Sequence, residues 1–417
     1  MKRSPLLIIF VTVFIDLLGF GIVMPLLPRY GKFFGADKLT LGLLMASFSA
    51  MQFLFAPLWG RLSDRIGRRP VLLLGLAGST VFYGLFGVAT ALGADTDLLG
   101  LSALPWLFLT RIGAGIAGAT IPTAQAYIAD STGPESRGKG MALIGAAFGI
   151  GFTFGPLLGS LFAAKSLAAP PSPAVGYIAS GLSALAFVWA LLRLPESLKP
   201  ESVSTRASWW HVKSLGRALK QPSIGLLLLT IFLTTFAFAQ FESTLSLLTQ
   251  HFGLADDQNF YVFAYVGFVL TLSQGVLVRR LSPRLGEFRM SLIGTLLMTV
   301  GLILIGAISN QKSTGLLFAV LPISVMGFSA LTPSLQSLLS LRSGVDEQGE
   351  MLGVGQSMSA LARILGPVAG LSLLRVGEQR PALGVALPYW VGASLMLVGV
   401  LLVLMLRSKP ATVTAET

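Results

Sequence analysis

The chain has 417 residues, of which 53% are hydrophobic and 12% are charged, and its mean hydropathy is +0.77. Soluble globular chains carry about a quarter charged residues, so this composition indicates a protein that lies in a lipid bilayer. The absence of cysteine excludes disulfides and thiolate metal sites, and two histidines are too few for a histidine metal cluster. We therefore expect neither a metal nor a cofactor.

The formal net charge of +12 does not indicate a nucleic-acid partner. Most lysines and arginines fall in loops that the topology below places in the cytoplasm, as the positive-inside rule requires. Three cations of the first outer loop, Arg29, Lys32 and Lys38, are exceptions to that rule. The positive charge therefore reflects the orientation of the chain in a membrane. It does not indicate a surface that binds polyanions.

Twelve apolar runs are long enough to cross a bilayer as helices, which need about 20 residues each. The first run holds Asp16 and lacks a small-x-small cleavage site, so we predict an uncleaved helix and not a signal peptide. An even number of spans with basic residues at both ends predicts two cytoplasmic termini. The predicted spans are 6–27, 41–59, 71–92, 105–129, 141–164, 175–194, 224–247, 260–278, 290–308, 316–341, 351–374 and 385–406.

The longest polar stretch, 195–221, divides the spans into two sets of six. Within this stretch Trp209, Val212 and Leu215 recur at helical spacing, which predicts an amphipathic helix in the inner headgroup layer. A solvated linker is the alternative. We expect an N-terminal six-helix bundle at 1–194, a cytoplasmic linker at 195–221, and a C-terminal six-helix bundle with a short tail at 222–417.

The two halves repeat each other in sequence. Residues 61–67 align with 280–286 at an offset of 219, and Gly155-Pro156-x-x-Gly159 aligns with Gly366-Pro367-x-x-Gly370 at an offset of 211. Duplicated six-helix bundles place a substrate site between them, near the bilayer midplane. We predict an all-α integral membrane protein with twelve transmembrane helices in two pseudo-symmetric bundles.

Four ionisable residues, Asp16, Arg111, Glu242 and Arg363, fall inside predicted spans. An intramembrane charge costs about 2.5–3.5 kcal/mol even on the insertion scale, so each needs a partner or water. At 1.5 Å per residue, Asp16 lies roughly 15 Å into the first span, near the midplane. We expect Asp16 to pair with Arg111 and Glu242 with Arg363; the alternative is that both are static structural pairs.

Asp16 is the candidate carrier of a coupling proton, with Arg111 as the group that tunes it. Desolvation and a neighbouring cation act on the proton affinity of a carboxylate in opposite directions. A substrate that displaces Arg111, or competes for the carboxylate, would therefore change the proton affinity of Asp16. This competition predicts proton coupling, and Glu242 with Arg363 is the corresponding candidate pair in the second half.

Polar side chains of several spans are candidates for lining a central cavity. Glutamines in lipid join helices more often than they bind substrates, so each is also explained by helix packing. The surrounding phenylalanines and methionines would suit a large apolar ligand, although such residues also pack or face lipid. The candidate cavity residues are Asp16, Gln52, Arg111, Gln125, Gln240, Gln274, Gln336, Gln356 and Arg363.

The segment between the second and third spans reads Gly60-Arg61-Leu62-Ser63-Asp64-Arg65-Ile66-Gly67-Arg68-Arg69-Pro70. Membrane topology alone explains the arginines but neither the aspartate nor the glycines. Glycines let a backbone turn or approach a neighbouring helix closely. An aspartate can hold an arginine or cap amides, and arginines can bind carboxylates or helix C-termini.

The fifth span contains Gly151, Gly155, Pro156 and Gly159. Glycines four residues apart permit close helix approach, and a proline prevents a regular hydrogen-bond ladder at that turn. Generic packing is the alternative explanation. However, three glycines of this span align with other residues in the second half, so the glycine-rich version is particular to the fifth span: Gly145, Gly149 and Gly151 align with Gln356, Ala360 and Ala362.

Together these motifs resemble those of the major facilitator transporters, and most closely those of the tetracycline/proton antiporters in the drug:proton antiporter group. The resemblance covers nearly the whole chain. Its residues are Asp16-x-x-Gly19-x-Gly21-x-x-x-Pro25-x-x-Pro28, the segment 62–73, Arg111-x-x-x-Gly115-x-x-Gly118-Ala119-Thr120, Ala126-Tyr127-Ile128-Ala129-Asp130 and the glycine motif of the fifth span.

The resemblance implies that Asp64 binds near the inner end of the eleventh span and locks the halves, while an arginine of the segment pairs with Asp130. It implies that the fifth-span glycines form the motif associated with exporters. The acidic positions of tetracycline exporters in spans three and nine are Phe82 and Met298 here, which argues against tetracycline as the substrate. The implied latch residues are Gly60, Asp64, Arg65, Gly67, Arg68, Arg69 and Asp130.

We therefore expect a proton-coupled exporter of small amphipathic compounds, working by alternating access as a monomer in a bacterial inner membrane. A proton-coupled uptake symporter for a small metabolite on the same fold is the alternative. A third class, an intramembrane enzyme or scaffold, lacks support because the chain has no motif for hydrolysis or nucleotide binding.

Overall fold

The structure is a computed structural model that describes residues 5–93, 97–132, 134–166, 169–198, 221–343, 348–380 and 384–407. Across these ranges the chain forms helices and no β-sheet. The helices are α1 (Pro5–Val23), α2 (Leu27–Phe33), α3 (Lys38–Ile66), α4 (Arg68–Ala91), α5 (Ala103–Ala117), α6 (Ile121–Ser131), α7 (Pro134–Ser160), α8 (Ala174–Arg193), α9 (Pro222–His251), α10 (Asp256–Leu272), α11 (Arg279–Ile308), α12 (Thr314–Arg342), α13 (Gln348–Glu378) and α14 (Leu387–Arg407).

Ten helical segments in the described ranges are long and apolar enough to cross a membrane. One of them, Asp256–Ile308, has 53 residues and a kink at Gly286, so it covers the eighth and ninth predicted spans. The fifth predicted span corresponds to the shorter apolar helix Ala146–Ser160. Each of the twelve predicted spans therefore coincides with a helix, and the all-helical membrane fold is confirmed.

Most of the basic segment at 60–70 is helical, and the turn between the two helices is confined to Gly67. Helix α3 continues through Ile66 and α4 begins at Arg68, so only Gly67 interrupts the two helices. An apolar run shows which part of a helix lies in the hydrocarbon core. The helix itself can continue beyond that run, because its polar end is stable outside the lipid. The helices therefore extend several residues beyond the predicted span ends at 59 and 71.

Gly67 and Gly286, which the sequence repeat aligns, have the same backbone conformation. Gly67 has φ 107° and ψ 155°, and Gly286 has φ 76° and ψ 159°. This region of backbone space is essentially confined to glycine. Each glycine thus breaks the helix at the equivalent point of its half, which supports the interpretation of a duplicated sequence.

The described residues form two compact units. One unit combines the described residues up to 198 with Thr249–Phe268, and the other combines 221–248 with the described residues from Val269 onward. The predicted linker helix falls mainly on 199–220, which lie outside the described ranges.

In the first unit, α1 packs against α7 and α8, and α4 packs against α5 and α8. The glycine motif of α7 permits the contact with α1: a Cβ on Gly155 would lie 2.9 Å from the Leu18 carbonyl oxygen, and one on Gly21 would lie 2.9 Å from the Gly151 carbonyl oxygen. Gly159 lies against the ring of Phe260. Close helix packing therefore explains these glycines structurally.

In the second unit, α11 packs against both α12 and α14. Here too small residues bring backbones together, because a Cβ on Gly327 would lie 2.5 Å from the Met298 amide nitrogen. Met298 is fully buried in this packing. The resemblance to tetracycline exporters leads one to expect an acidic residue at this position.

Candidate functional site

Asp16 lies near the middle of α1 and is held by hydroxyl groups. The Ser183 hydroxyl of α8 donates to Asp16 Oδ1 at 3.1 Å, and the Ser79 hydroxyl of α4 also interacts with the carboxylate. Both serines are buried, at 0% and 2% exposure. Three helices of the first unit therefore fix the position of this carboxylate, and no cation among the described residues binds it.

Asp16 also lines a pocket inside the first unit, between α1, α4 and the start of α6. Apart from the Asp16 carboxylate, the polar groups of the pocket are the hydroxyls of Thr12 and Thr120. The side chain therefore borders a small, partly polar space inside the first unit. The lining residues are Thr12, Val13, Asp16, Leu17, Leu72, Leu76, Thr120, Ile121 and Ala124.

Arg111 does not form the predicted ion pair with Asp16. Its guanidinium lies over the ring of Phe48 in α3, 4.3 Å from the centroid, and the residue is 3% exposed. Within the described part of the chain, Nε and Nη1 of Arg111 have no hydrogen-bond partner. Tyr83 of α4 is within electrostatic range of both Asp16 and Arg111. The aromatic ring of Phe48 thus takes the place that the sequence assigned to a carboxylate.

Glu242 of α9 and Arg363 of α13 lie within electrostatic range of each other in the second unit. Both side chains are described, and no N–O distance between them is within the 4.0 Å of an ion pair. Glu242 is partly buried and Arg363 is exposed. The structure therefore brings these two residues together without a direct contact.

The six candidate glutamines divide into helix contacts and accessible side chains. Gln240 is 1% exposed and donates to the Pro388 carbonyl oxygen, so the prediction that it lines a cavity is wrong: it joins α9 to α14. Gln52 donates to the Gly118 carbonyl oxygen at 3.2 Å, where α5 ends. The remaining four are exposed or partly exposed: Gln125, Gln274, Gln336 and Gln356.

Arg68 forms the centre of a polar cluster at the N-terminal end of α4. Its Nη1 donates to Asp64 Oδ1 at 2.5 Å and to Ser63 Oγ at 2.8 Å. Its Nε donates to Asp130 Oδ2, in the last turn of α6, at 3.1 Å. Arg68 is therefore the arginine of the basic segment that pairs with Asp130.

The other residues of the basic segment have different surroundings. Arg69 donates from Nη2 to the Leu191 carbonyl oxygen at 2.8 Å, which ties α4 to the end of α8. Arg65 is exposed. Gly60 lies inside α3, and a Cβ there would meet no described atom within 4 Å, so the expectation that Gly60 serves a turn or a close approach is wrong.

Glu196 belongs to this cluster, although the sequence analysis missed it. Its carboxylate accepts hydrogen bonds from the backbone amides of Arg68 at 2.9 Å and Arg69 at 3.1 Å. It thereby satisfies amides at the start of α4, which have no partner within the helix. The only signal in the sequence was a single acid directly after the sixth span.

A helical membrane fold with charged groups inside its spans and a small pocket beside one of them is typical of membrane transporters. The sequence matches the family model of the Major Facilitator Superfamily over residues 9–367. The chain therefore belongs to the Major Facilitator Superfamily.

Relatives of known name agree with this assignment. The tetracycline resistance protein, class E, of Escherichia coli is 33% identical over 366 residues, which are 86% of this chain and 85% of that protein. The multidrug resistance protein 2 of Bacillus subtilis (strain 168) is 27% identical over 95% of each chain. The resemblance to tetracycline/proton antiporters found in the motifs is thereby confirmed.

Solved structures share the fold. The crystal structure of the human organic anion transporter MFSD10 (TETRAN) has a TM-score of 0.68 and 27% identity, covering 96% of this chain and 99% of that chain. The D-xylose-proton symporter, at 20% identity, has a TM-score of 0.74 over 98% of each chain, which shows the common fold alone.

Proposed function

We propose that the protein exports small amphipathic compounds in exchange for protons, by alternating access. The observation that carries this proposal is the setting of Asp16: a carboxylate in the middle of α1, bound by buried hydroxyls and open to a pocket. A carboxylate without a directly bound cation can take up and release a proton without breaking an ion pair. The names of the bacterial relatives, which concern tetracycline and multidrug resistance, support export as the direction.

Arg111 is the proposed contact for the exported compound. Two of its nitrogens are buried and unpartnered in the described chain, and its guanidinium rests on an aromatic ring. An acceptor oxygen and an aromatic face on one compound would fit these groups. Tyr83, which is within electrostatic range of both Asp16 and Arg111, is the proposed link between the bound compound and the proton. Glu242 and Arg363 are the proposed second pair.

The energetics of one proton suffice for export. A proton that moves inward down a potential of 100 mV releases about 2.3 kcal/mol. This corresponds to a concentration ratio of about fifty-fold for a neutral compound exchanged one for one. A pH gradient would add to this ratio.

The proposed topology places both termini in the cytoplasm of a bacterium and the chain in its inner membrane, as a monomer. In this topology the bundles are residues 1–194 and 222–417, joined by a linker, and Asp64 holds them in one state. The exception to the positive-inside rule at Arg29 is then explained. Arg29 is buried and its Nη1 lies 2.8 Å from Asp256 Oδ1, so its charge is compensated inside the first unit.

A growth and efflux screen tests the proposal. Cells that express the wild type should resist some amphipathic drugs better than cells with an empty vector, and should extrude those compounds until the proton gradient is collapsed. Asp16→Asn should abolish the resistance. The control Asp257→Asn should not, because Asp257 lies at the start of α10 and accepts a local hydrogen bond from the backbone amide of Gln258. Gradient-dependent accumulation of a metabolite, with no efflux of any drug, would instead identify an uptake symporter.

A further inference from the structure

The pocket beside Asp16 extends along the first unit toward the Arg68 cluster. Thr12 lies one turn before Asp16 on α1, and Leu72 and Leu76 lie one and two turns after Arg68 on α4, or roughly 6 and 12 Å along the helix. The pocket therefore occupies the half of the unit between Asp16 and the start of α4. The pocket offers three polar groups, the Asp16 carboxylate and the hydroxyls of Thr12 and Thr120. Three such groups are enough hydrogen-bond partners for one buried water molecule.

Tyr127 continues this path beyond the pocket. It follows Ala124, a lining residue, by three positions on α6 and precedes Asp130 by three, so the three residues are neighbours along one side of the helix. It belongs to the same buried cluster as Ala124 and Leu72. The Tyr127 hydroxyl is within electrostatic range of Glu196, the carboxylate that caps α4.

The Tyr127 hydroxyl is unusual for a core residue. The side chain is 0% exposed, and its oxygen has no hydrogen-bond partner among the described residues. Leaving a buried hydroxyl unpaired costs free energy, whereas phenylalanine would fill the same volume without that cost. Packing thus accounts for the ring of Tyr127 but not for its oxygen.

We propose that Asp16 exchanges its proton with the cytoplasm through this pocket and the Tyr127 hydroxyl, by a route inside the first unit that the exported compound does not share. The inference rests on the proposed function, since it concerns the proton that Asp16 carries. The Asp16 carboxyl group gives its proton to water in the pocket. The Tyr127 oxygen accepts a proton from that water and releases its own toward Glu196 and Asp130, which pass it to bulk water. The pocket water, Tyr127, Glu196 and Asp130 return to their starting states, and Asp16 is left as a carboxylate until it takes up the next proton.

Tyr127→Phe tests the route because it removes one oxygen and leaves the ring. The purified protein is reconstituted in vesicles that contain a pH-sensitive dye, with a transported compound from the drug screen. We expect proton movement and gradient-driven transport to fall at least about tenfold, a modest loss for removal of a proton-transfer group. Exchange of labelled for unlabelled compound at equal pH, which needs no net proton movement, should keep the wild-type rate. The melting temperature should not fall.

Two further variants sharpen the test. Thr120→Val replaces a pocket hydroxyl by a methyl group of similar size and should slow proton movement in the same way. Thr234→Val removes another buried and unpartnered hydroxyl, in the second unit, and should leave both activities unchanged.

The outcomes separate the inference from the function on which it rests. Wild-type proton coupling that is lost in Asp16→Asn but unchanged in both Tyr127→Phe and Thr120→Val would overturn the route and leave the proposed function intact. An equal loss of exchange and proton movement in Tyr127→Phe would also overturn the route, because it would indicate a packing role. A wild type that moves no protons would overturn the route and the proposed function together.

Discussion

The Glu196 carboxylate lies directly against Gly67, so that a Cβ at position 67 would be 2.3 Å from Glu196 Oε2. Gly67 is thus constrained twice, by its backbone conformation with φ 107° and by the group that caps the next helix. Gly286 has the same conformation, but a Cβ there would meet no described atom within 4 Å. The duplicated glycines therefore share the turn and differ in what surrounds it.

This difference predicts unequal effects of alanine at the two positions. Gly286→Ala should destabilise the protein by roughly 1–3 kcal/mol, the strain of a non-glycine residue in this region. Gly67→Ala should destabilise it more, because the methyl group also displaces the Glu196 carboxylate from the amides of α4. Thermal unfolding of the purified variants measures both effects. Equal losses of stability would show that the Glu196 contact contributes nothing.

Arg68→Lys should be harmful, although it preserves the charge. The guanidinium of Arg68 binds Asp64 and Asp130 through separate nitrogens, and a single ammonium group lacks the geometry of that fork. We expect a loss of roughly 1–2 kcal/mol, because both carboxylates are partly exposed. Transport should fall as well, if the cluster organises the start of α4. Arg193→Lys, at an exposed position of the same unit, is the matched control and should behave as the wild type.

Asp256→Asn should destabilise the first unit. The buried Arg29 donates to Asp256 Oδ1, to the Leu254 carbonyl oxygen and to Thr249 Oγ1, so the variant removes the negative member of a largely enclosed pair. The expected loss is roughly 2–3 kcal/mol. Asp257→Asn changes the neighbouring carboxylate and should cost less than about 1 kcal/mol, the usual effect of an acid at a helix N-terminus. Equal falls in the melting temperatures of Asp256→Asn and Asp257→Asn would refute the conclusion that Asp256 compensates the charge of Arg29.

The sequence was sufficient to predict the spans and the duplication. Apolar runs of about 20 residues identify membrane helices because lipid demands them, and the aligned Gly67 and Gly286 prove to have matching backbones. The helix ends were not predictable in the same way. Ile66 and Arg68 are helical although the apolar run ends before them, since hydropathy marks the hydrocarbon core and not the hydrogen bonds of the backbone.

The sequence was sufficient to predict which residues carry the chemistry of the site, but not which side chains those residues contact. Counting residues along a helix gives the depth of Asp16 and Arg111 in the membrane but not the direction in which each side chain points. The Asp16–Arg111 pair therefore failed: Asp16 binds Ser183, and Arg111 lies on Phe48. Glu196 was missed for a similar reason, because the amides that it caps are 128 and 127 residues away in sequence.

Proton-driven transport by Asp16→Asn in proteoliposomes tests the central claim most directly. Asparagine keeps the size of the side chain and can still accept a hydrogen bond from Ser183, but it cannot carry a proton. An imposed pH gradient should drive uphill movement of a drug by the wild type, together with counterflow of protons. Asp16→Asn should exchange the drug at equal pH, yet move neither drug nor protons in response to the gradient. Full gradient-driven transport by Asp16→Asn would contradict the account.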